Sequence, residues 1–435
     1  MTHTVSTNPD TVLSDYRDHL FQCAPPLYDE PLVLAEGSGN WVTDANGDQY
    51  LDFFAGILTT SLGHCHPEVN QRVAEQMATL GHTSTLYLTE RQGEMAKRLA
   101  AIAPGDLDTT FFTNSGTEAV ETAIMLACQA TERTEIITLR YAYSGRSLLA
   151  TNMTNNAAWR PLAALVPGIV NIRSPYPYRC PVRTPCDDTC LDALANDLEE
   201  AIQTCTNGKP AAFFAETIQG LGGYIVPPPG YFQMASEMIR SYGGLFISDE
   251  VQAGFGRTGA KWFGIEHWNV VPDIMVMAKG IANGFPVGAT TTRREIADRW
   301  TAKTISTYGG NPVSMAAALA TNEIMVREDV PARSAERGAQ VRDALDALAN
   351  EFDWIGEVRG MGLMQALEIV EDRASKKPDP AKAKALLEAA KKERLLIGIG
   401  GLHGHVIRLG PSMLISEEDV DEALGRIGRA CAAVA

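Results

Sequence analysis

Between about residue 66 and residue 300, short apolar runs alternate with segments of helical length. The runs include Thr110-Phe111-Phe112, Glu135-Ile136-Ile137-Thr138-Leu139, Ala212-Phe213-Phe214-Ala215, Leu245-Phe246-Ile247 and Ile274-Met275-Val276-Met277. Runs that are apolar on both faces have no solvent side, so the alternation predicts a mostly parallel sheet sandwiched by helices. Ahead of them, Trp41-Val42-Thr43 and Tyr50-Leu51-Asp52-Phe53 flank a turn at Asn46-Gly47 and predict a hairpin. The first thirty or so residues are polar with scattered prolines, and read as a loose arm followed by a short helix. After Pro312 a helix-rich stretch leads into Val358–Glu368, which reads as the start of a smaller α+β domain. Residues 375–382 read as an exposed loop. The expected division is a large domain at 61–310 and a small domain assembled from both ends, 1–60 and 311–435.

Composition narrows the class. At 435 residues the chain is too long for one small core, and 45% hydrophobic with 21% charged residues excludes disorder and fibrous repeats. The net charge of −16 argues against nucleic acid, whose phosphates it repels, but not against a small anion met by a local cluster of donors. Of the eight cysteines, Cys180, Cys186 and Cys190 are spaced too loosely for zinc knuckles and read as a surface loop with free thiols. No metal is expected. The opening MTHTVSTNPD has no leader-like pattern, and no window approaches the ~18 consecutive apolar residues of a membrane span. The expectation is a soluble cytoplasmic protein with no membrane partner.

Several apolar runs end in polar residues, and ligands of open α/β sheets bind beyond the carboxyl ends of the strands. Phe111–Ala127 runs from a strand through Asn114-Ser115-Gly116-Thr117 into a helix, with Ser115 and Glu118 at capping-box spacing. Its free N–H groups make either an ordinary capped helix or an anion cradle. Asp249, just past a buried run, needs a cation there, such as a protonated heterocyclic nitrogen, or serves as a helix cap. Gln252 follows it and can donate or accept at a phenolic oxygen. Lys279 follows an apolar strand and precedes a glycine-rich loop, where lost hydration lowers an amine's pKa and makes it a nucleophile.

Tyr143 offers a ring for stacking, Thr307 a hydroxyl for phosphate, and Arg408 a cation in an apolar strand that needs an anionic partner such as a carboxylate. Gly254–Gly259 matches G-x-G-x-x-G letter for letter. It lacks the strand directly before it and the helix after it, so a dinucleotide fingerprint is rejected.

Together, SGTEAVETA, SDEVQAGFGRTG, DIMVMAKGIANGFPVGA and TYGGNP, in that order, resemble the class III (ω-type) aminotransferases, pyridoxal-phosphate enzymes of fold type I. The resemblance runs from about Gly39 to the last helix. It implies an α/β fold, with a mostly parallel seven-stranded-type sheet in the large domain and a small α+β domain. Lys279 then forms the Schiff base with pyridoxal 5'-phosphate, Asp249 pairs with its ring nitrogen, and Gln252 contacts its ring hydroxyl. Ser115, Gly116 and Thr117 hold the phosphate and Tyr143 stacks on the ring. Glu216, in AETIQG, matches the family's AEPIQG acid. Arg408 matches the substrate-carboxylate arginine. Thr307 completes the phosphate site of a second subunit, which implies a homodimer; pairing of dimers into tetramers stays open.

The runs FFAGILTTSLGHCHPEVN, HTSTLYL, VRGMGLMQALE and RLGPSMLIS are similar to the alanine–glyoxylate and 3-aminoisobutyrate–pyruvate group. Ser144 replaces the usual His after the stacking Tyr. Leu221 stands where ornithine-type members carry a second glutamate, which argues against an ornithine or acetylornithine enzyme. His64 and His66 read as loop anchors. The implied reaction is transfer of an amino group from alanine or a β-/ω-amino acid to a 2-oxo acid such as pyruvate or glyoxylate. The alternative is a phospholyase acting on an amino-alcohol phosphate such as ethanolamine phosphate, which Gly222–Tyr231 also resembles. A non-catalytic binding protein is excluded because Lys279, Asp249 and Arg408 are all present.

Overall fold

A computed structural model describes residues 8–162, 166–180, 182 and 188–435. Strands β1 (Leu34–Ser38), β2 (Trp41–Asp44) and β3 (Gln49–Asp52) form the N-terminal sheet, with the predicted hairpin between the last two. Next in the chain come β4 (Thr109–Thr113), β5 (Ile136–Leu139), β6 (Ile169–Ile172), β7 (Ala212–Glu216), β8 (Leu245–Asp249), β9 (Ile274–Met277) and β10 (Gly288–Thr292). The C-terminal part adds β11 (Ile355–Met361), β12 (Met364–Ile369), β13 (Leu395–Leu396), β14 (Gly398–Gly400) and β15 (Val406–Leu409).

The central sheet has seven strands in the order β4-β10-β9-β8-β7-β5-β6. Strands β6, β5, β7, β8 and β9 are mutually parallel, and only β10 runs against its neighbours β4 and β9. Every residue of β5, β7, β9 and β10 is buried, as the unbroken apolar runs require where helices cover both faces. The reading of the sequence picked out neither β6 nor β10. In β10 the cause is its threonines: Thr290 Oγ1 donates to Ala119 O (2.8 Å) and Thr292 Oγ1 to Asp273 O (2.7 Å). Satisfied hydroxyls let a polar run lie in the core.

Both ends of the chain meet in the N-terminal sheet, where β13 pairs in parallel with β3, Leu395 opposite Leu51. Strands β11, β12, β15 and β14 form a third, antiparallel sheet. Its inner face packs under the helices Val330–Glu351 and Pro380–Lys392.

The expected short N-terminal helix is present at Pro9–His19, capped by Asn8; residues 1–7 lie outside the described residues. Two other expectations need correction. The segment at 375–382 is not all loop: Asp379 accepts the Lys382 N–H at 2.9 Å and caps a helix that begins at Pro380. Cys190 is buried in the helix Asp188–Cys205 and so is not on a surface loop; its sulfur lies 3.3 Å from that of Cys180, which is half-buried at the end of a turn. Cys186 falls outside the described residues. Among the described residues no helix is long and apolar enough to cross a membrane.

Candidate active site

The parallel strands deliver their last residues to one edge of the sheet, and there the charges gather. β7 ends on Glu216 and β8 on Asp249, and the two are register partners, so their carboxyl groups lie on adjacent strands. β9 ends at Met277, and Ala278 alone separates it from Lys279. A cavity of about 310 Å³ opens at these ends. Of the ten positions singled out above, eight line it: Ser115, Gly116, Thr117, Tyr143, Glu216, Asp249, Gln252 and Lys279.

The floor at one side is a helix N-terminus. Ser115 caps the helix Gly116–Thr131, its Oγ accepting the Glu118 N–H at 3.2 Å. Glu118 in turn accepts from the N–H (2.8 Å) and side chain (3.0 Å) of Asn114, closing the turn one residue earlier than a capping box does. The expected apolar face is present: Ala119, Ala123, Ile124 and Ala127 are buried. Against this end lies Gly145, at φ +134°, so close that a Cβ would stand 2.3 Å from Thr117 Oγ1. Only glycine fits there, and the approach lets Thr117 Oγ1 accept the Arg146 N–H at 3.1 Å.

Burial sets the electrostatics. Glu216 accepts the Tyr143 N–H (3.0 Å) and the Gly220 N–H (2.8 Å), yet desolvation and the neighbouring Asp249 push its pKa up to about 8. Desolvation pushes Asp249 up to about 6, opposed by the Val251 N–H at 2.9 Å and by Lys279. The same burial lowers the pKa of Lys279, with the two carboxyl groups opposing the shift. Lys279 also adopts φ +46°, an uncommon conformation for a residue with a side chain, of the kind that clusters at functional sites.

Two buried polar atoms at the cavity have no partner: Gln252 Oε1 and Ser144 Oγ. Orphaned groups of this kind are rare in a core unless a ligand completes them. The donor set suits pyridoxal phosphate. It offers N–H groups and hydroxyls for a dianion, a carboxylate for a ring cation, an orphan acceptor for a ring hydroxyl, and a desolvated amine for an aldehyde.

Two predicted residues are not in the wall. Thr307 is exposed, so the chain's own cavity does not include it. Arg408 is buried in β15, where Nε (3.1 Å) and Nη2 (2.8 Å) donate to Ile399 O and Nη1 donates to Gly220 O at 3.2 Å. Its guanidinium also lies over the rings of Phe54 (5.1 Å) and Tyr224 (5.7 Å). Its present partners are therefore carbonyls, not the anion that its apolar strand suggested. His64 anchors a loop as expected, bonding Asp52 Oδ2 at 2.8 Å.

Among the buried acids that the sequence did not single out, two stand near the site or its support. Glu250 accepts the N–H groups of Gly264 and Ile265 at 2.8 Å each, pinning the turns after β8. Glu368 gathers Tyr176, Arg179, Arg359 and His405. The first was hidden beside Asp249; the second carries no local signal, because its partners come from separate elements. The rejected G-x-G-x-x-G run is a series of turns, and Arg257 within it is buried, donating to Leu363 O and Pro411 O. It is a clamp between segments.

Fold and site together define a pyridoxal-phosphate enzyme of fold type I, with its lysine at the end of a parallel strand. The chain belongs to the class III aminotransferases: the family described as Aminotransferase class-III matches residues 24–431. It is 39% identical to the mitochondrial alanine–glyoxylate aminotransferase 2 homolog 2 of Arabidopsis thaliana, covering 95% of this chain and 85% of that one. Among solved structures, an amine transaminase from an uncultivated Pseudomonas species in its PLP-bound form matches with a TM-score of 0.89 and 32% identity, covering 95% and 97% of the two chains. A phospholyase from Arthrobacter in complex with phosphoethanolamine matches with a TM-score of 0.90 and 32% identity, covering 98% and 100%. The protein is a pyridoxal-phosphate-dependent transaminase whose substrates are amino acids and 2-oxo acids.

Proposed function

We propose that the enzyme moves an amino group from alanine or a β-/ω-amino acid to a 2-oxo acid such as pyruvate or glyoxylate. The observation that carries the reading is the buried triad at the strand ends, Glu216, Asp249 and Lys279, beside a capped helix N-terminus. The bound cofactor supplies an electron sink for the negative charge that develops on the substrate carbon. Lys279 Nζ would hold the cofactor through its aldehyde and, once released by the substrate's amino group taking its place, would be the base that moves the proton to and from that carbon, a task its lowered pKa suits. Asp249 keeps the ring nitrogen protonated, and Gln252 Oε1 accepts from the ring hydroxyl. Ser115, Gly116 and Thr117 meet the phosphate, and Tyr143, fixed through its N–H by Glu216, stacks on the ring. Arg408 binds the substrate carboxylate with the two N–H groups that its three carbonyl bonds leave over, one on each Nη.

The same reading makes the protein a homodimer. Thr307 is exposed in a segment with exposed Ile305 and Tyr308, and serves the phosphate site of a second copy. The cavity belongs to a large domain at 61–310, and the small domain is built from 1–60 and 311–435, as the β3–β13 pairing of both chain ends supports. A reducing compartment, the cytoplasm, suits the buried thiol of Cys431.

A second reading, elimination of phosphate from an amino-alcohol phosphate, draws on the likeness to the Arthrobacter phospholyase. The half-reaction separates the two. L-Alanine, β-alanine and ethanolamine phosphate are mixed in turn with the loaded enzyme while absorbance and free phosphate are followed. Conversion of the bound cofactor to its amine form by an amino acid supports transamination. Phosphate release from ethanolamine phosphate without that conversion overturns it.

A further inference from the structure

The loop Gly220–Tyr224 joins the cofactor side of the site to the substrate side. At its start the Gly220 N–H is held by Glu216, and a Cβ on Gly220 would stand 2.1 Å from the Gln252 amide, so loop and cavity wall are in contact. The Gly220 carbonyl accepts from Arg408 Nη1 at 3.2 Å, and the Leu221 carbonyl accepts the Gly401 N–H at 2.8 Å. At its far end the Gly223 carbonyl accepts from Arg359 Nε at 2.7 Å.

Arg359 and Arg408 are not scattered neighbours. In the third sheet Arg359 on β11 is the register partner of Ala366 on β12, and Ala366 is the register partner of Arg408 on β15. Cross-strand partners point to the same face, so two strand spacings put the arginine Cα atoms about 10 Å apart over one small side chain. Both guanidinium groups grip the same loop, one near each end. Arg359 is engaged mainly within the protein: Nη1 is bound to Glu357 (2.7 Å) and Glu368, Nε to Gly223 O, and Cζ lies 4.9 Å from the centre of the Tyr176 ring, while Nη2 is buried beside the loop without a partner. Glu368 also takes Tyr176, Arg179 and His405, which ties β11, β12, β15 and the segment 176–179 into one unit.

We infer that Arg359, locked by Glu368, is a positioning residue that fixes the Gly220–Tyr224 loop and with it the orientation in which Arg408 receives the substrate carboxylate. Gly223 sits at φ +101° with a Cβ position only 2.9 Å from Arg359 Nη2, so the loop turns tightly around the guanidinium. Loss of Arg359 frees the Gly223 carbonyl, lets the loop shift, and withdraws the Gly220 carbonyl that helps aim Arg408. This rests on the reading of Arg408 as the carboxylate site.

The test compares two reactions of the loaded enzyme: L-alanine, which carries a carboxylate, and hydroxylamine, an amine nucleophile that carries none. Arg359→Met is expected to lower kcat/KM for L-alanine by on the order of tenfold or more, mostly through KM, with the hydroxylamine rate within about twofold of wild type. Arg359→Lys, which keeps the charge but not the planar fork, and Glu368→Gln are expected to show the same selective loss in weaker form. They decide the matter if Arg359→Met does not fold. Equal losses with both reagents, or no loss with L-alanine, overturn the inference. Arg408→Met is the control for the underlying reading: if it spares L-alanine, Arg408 is not the carboxylate site. If Arg408→Met is impaired while the Arg359 and Glu368 variants are not, the positioning role alone fails.

Discussion

Two buried ionic centres lie on either side of the Gly220–Tyr224 loop, and they are built on opposite principles. At the strand ends Glu216 and Asp249 face one lysine, and burial pushes both carboxyl pKa values up while pushing that of Lys279 down. In the third sheet, Glu368 is ringed by Arg359, Arg179 and His405. Arg359 holds its pKa well below the usual carboxylate range, and the pKa of Arg359 rises in return. The first centre leaves charge and hydrogen-bonding capacity unsatisfied, including Gln252 Oε1. The second satisfies its acid internally, while Arg359 Nη2, Arg179 Nη2 and His405 Nδ1 are, like Gln252 Oε1, buried without a partner. The contrast is therefore one of charge: carboxyl groups held above their ordinary pKa values beside a lysine, against a carboxylate held below its own by cations.

The largest effect that would break the comparison is at the lysine. Lys279→Ala is expected to reduce transamination by about 10⁴-fold or more and to abolish the absorbance band of lysine-bound cofactor, read in steady-state kinetics and the visible spectrum. Full activity in that variant would dismiss the first centre as the reaction site. Next, Glu368→Ala leaves buried Arg359 with Glu357 as its one remaining acid and removes the acid from half-buried Arg179. It should destabilise the fold by about 3 kcal/mol in denaturant titration, while the folded fraction still takes up cofactor.

The two centres also predict opposite pH responses in the cofactor-free protein. Glu216 at about 8 and Asp249 at about 6 lie above their unfolded values of 4.5 and 3.8. Their contribution is complete below those unfolded values and is lost as pH rises towards 8. Glu368, whose pKa is depressed from 4.5, contributes above pH 4.5 and loses that contribution as pH falls further. The unfolding free energy, read in denaturant titration, should therefore decline from pH 5 to 8 in the wild type and decline less in Glu216→Gln, a difference on the order of 1–3 kcal/mol. Glu368→Gln should flatten only the acid limb. The smallest effect is at the orphan acceptor: Gln252→Leu should weaken cofactor affinity by about tenfold, measured by titration of the cofactor-free protein, with little change in melting temperature.

The first centre was legible because its parts sit at the ends of apolar runs. Phe111-Phe112, Leu245-Phe246-Ile247 and Ile274–Met277 announce strands, and a polar residue just beyond such a run has few destinations other than the carboxyl edge of the sheet. Strand β10 was not legible, because Gly288–Thr292 is polar in sequence and becomes core only through partners such as Ala119 O and Asp273 O. Cys190 misled for the complementary reason: the residues just before it, Asp187-Asp188-Thr189, are polar in sequence, and only packing of the helix Asp188–Cys205 buries it.

The sequence by itself determined the candidate groups: a lysine just past a buried strand, a carboxyl group at the end of another and a capped helix N-terminus, each encoded within one local strand-to-loop segment. Only the tertiary structure decided the support. Glu368 draws on residues 9 to 192 positions away in the chain. The row Arg359–Ala366–Arg408 exists only once two strand pairings set its register. Local segments can encode a group's identity and its burial, because those depend on periodicity. The alignment of charges from distant segments depends on register and packing, which no single stretch of chain contains.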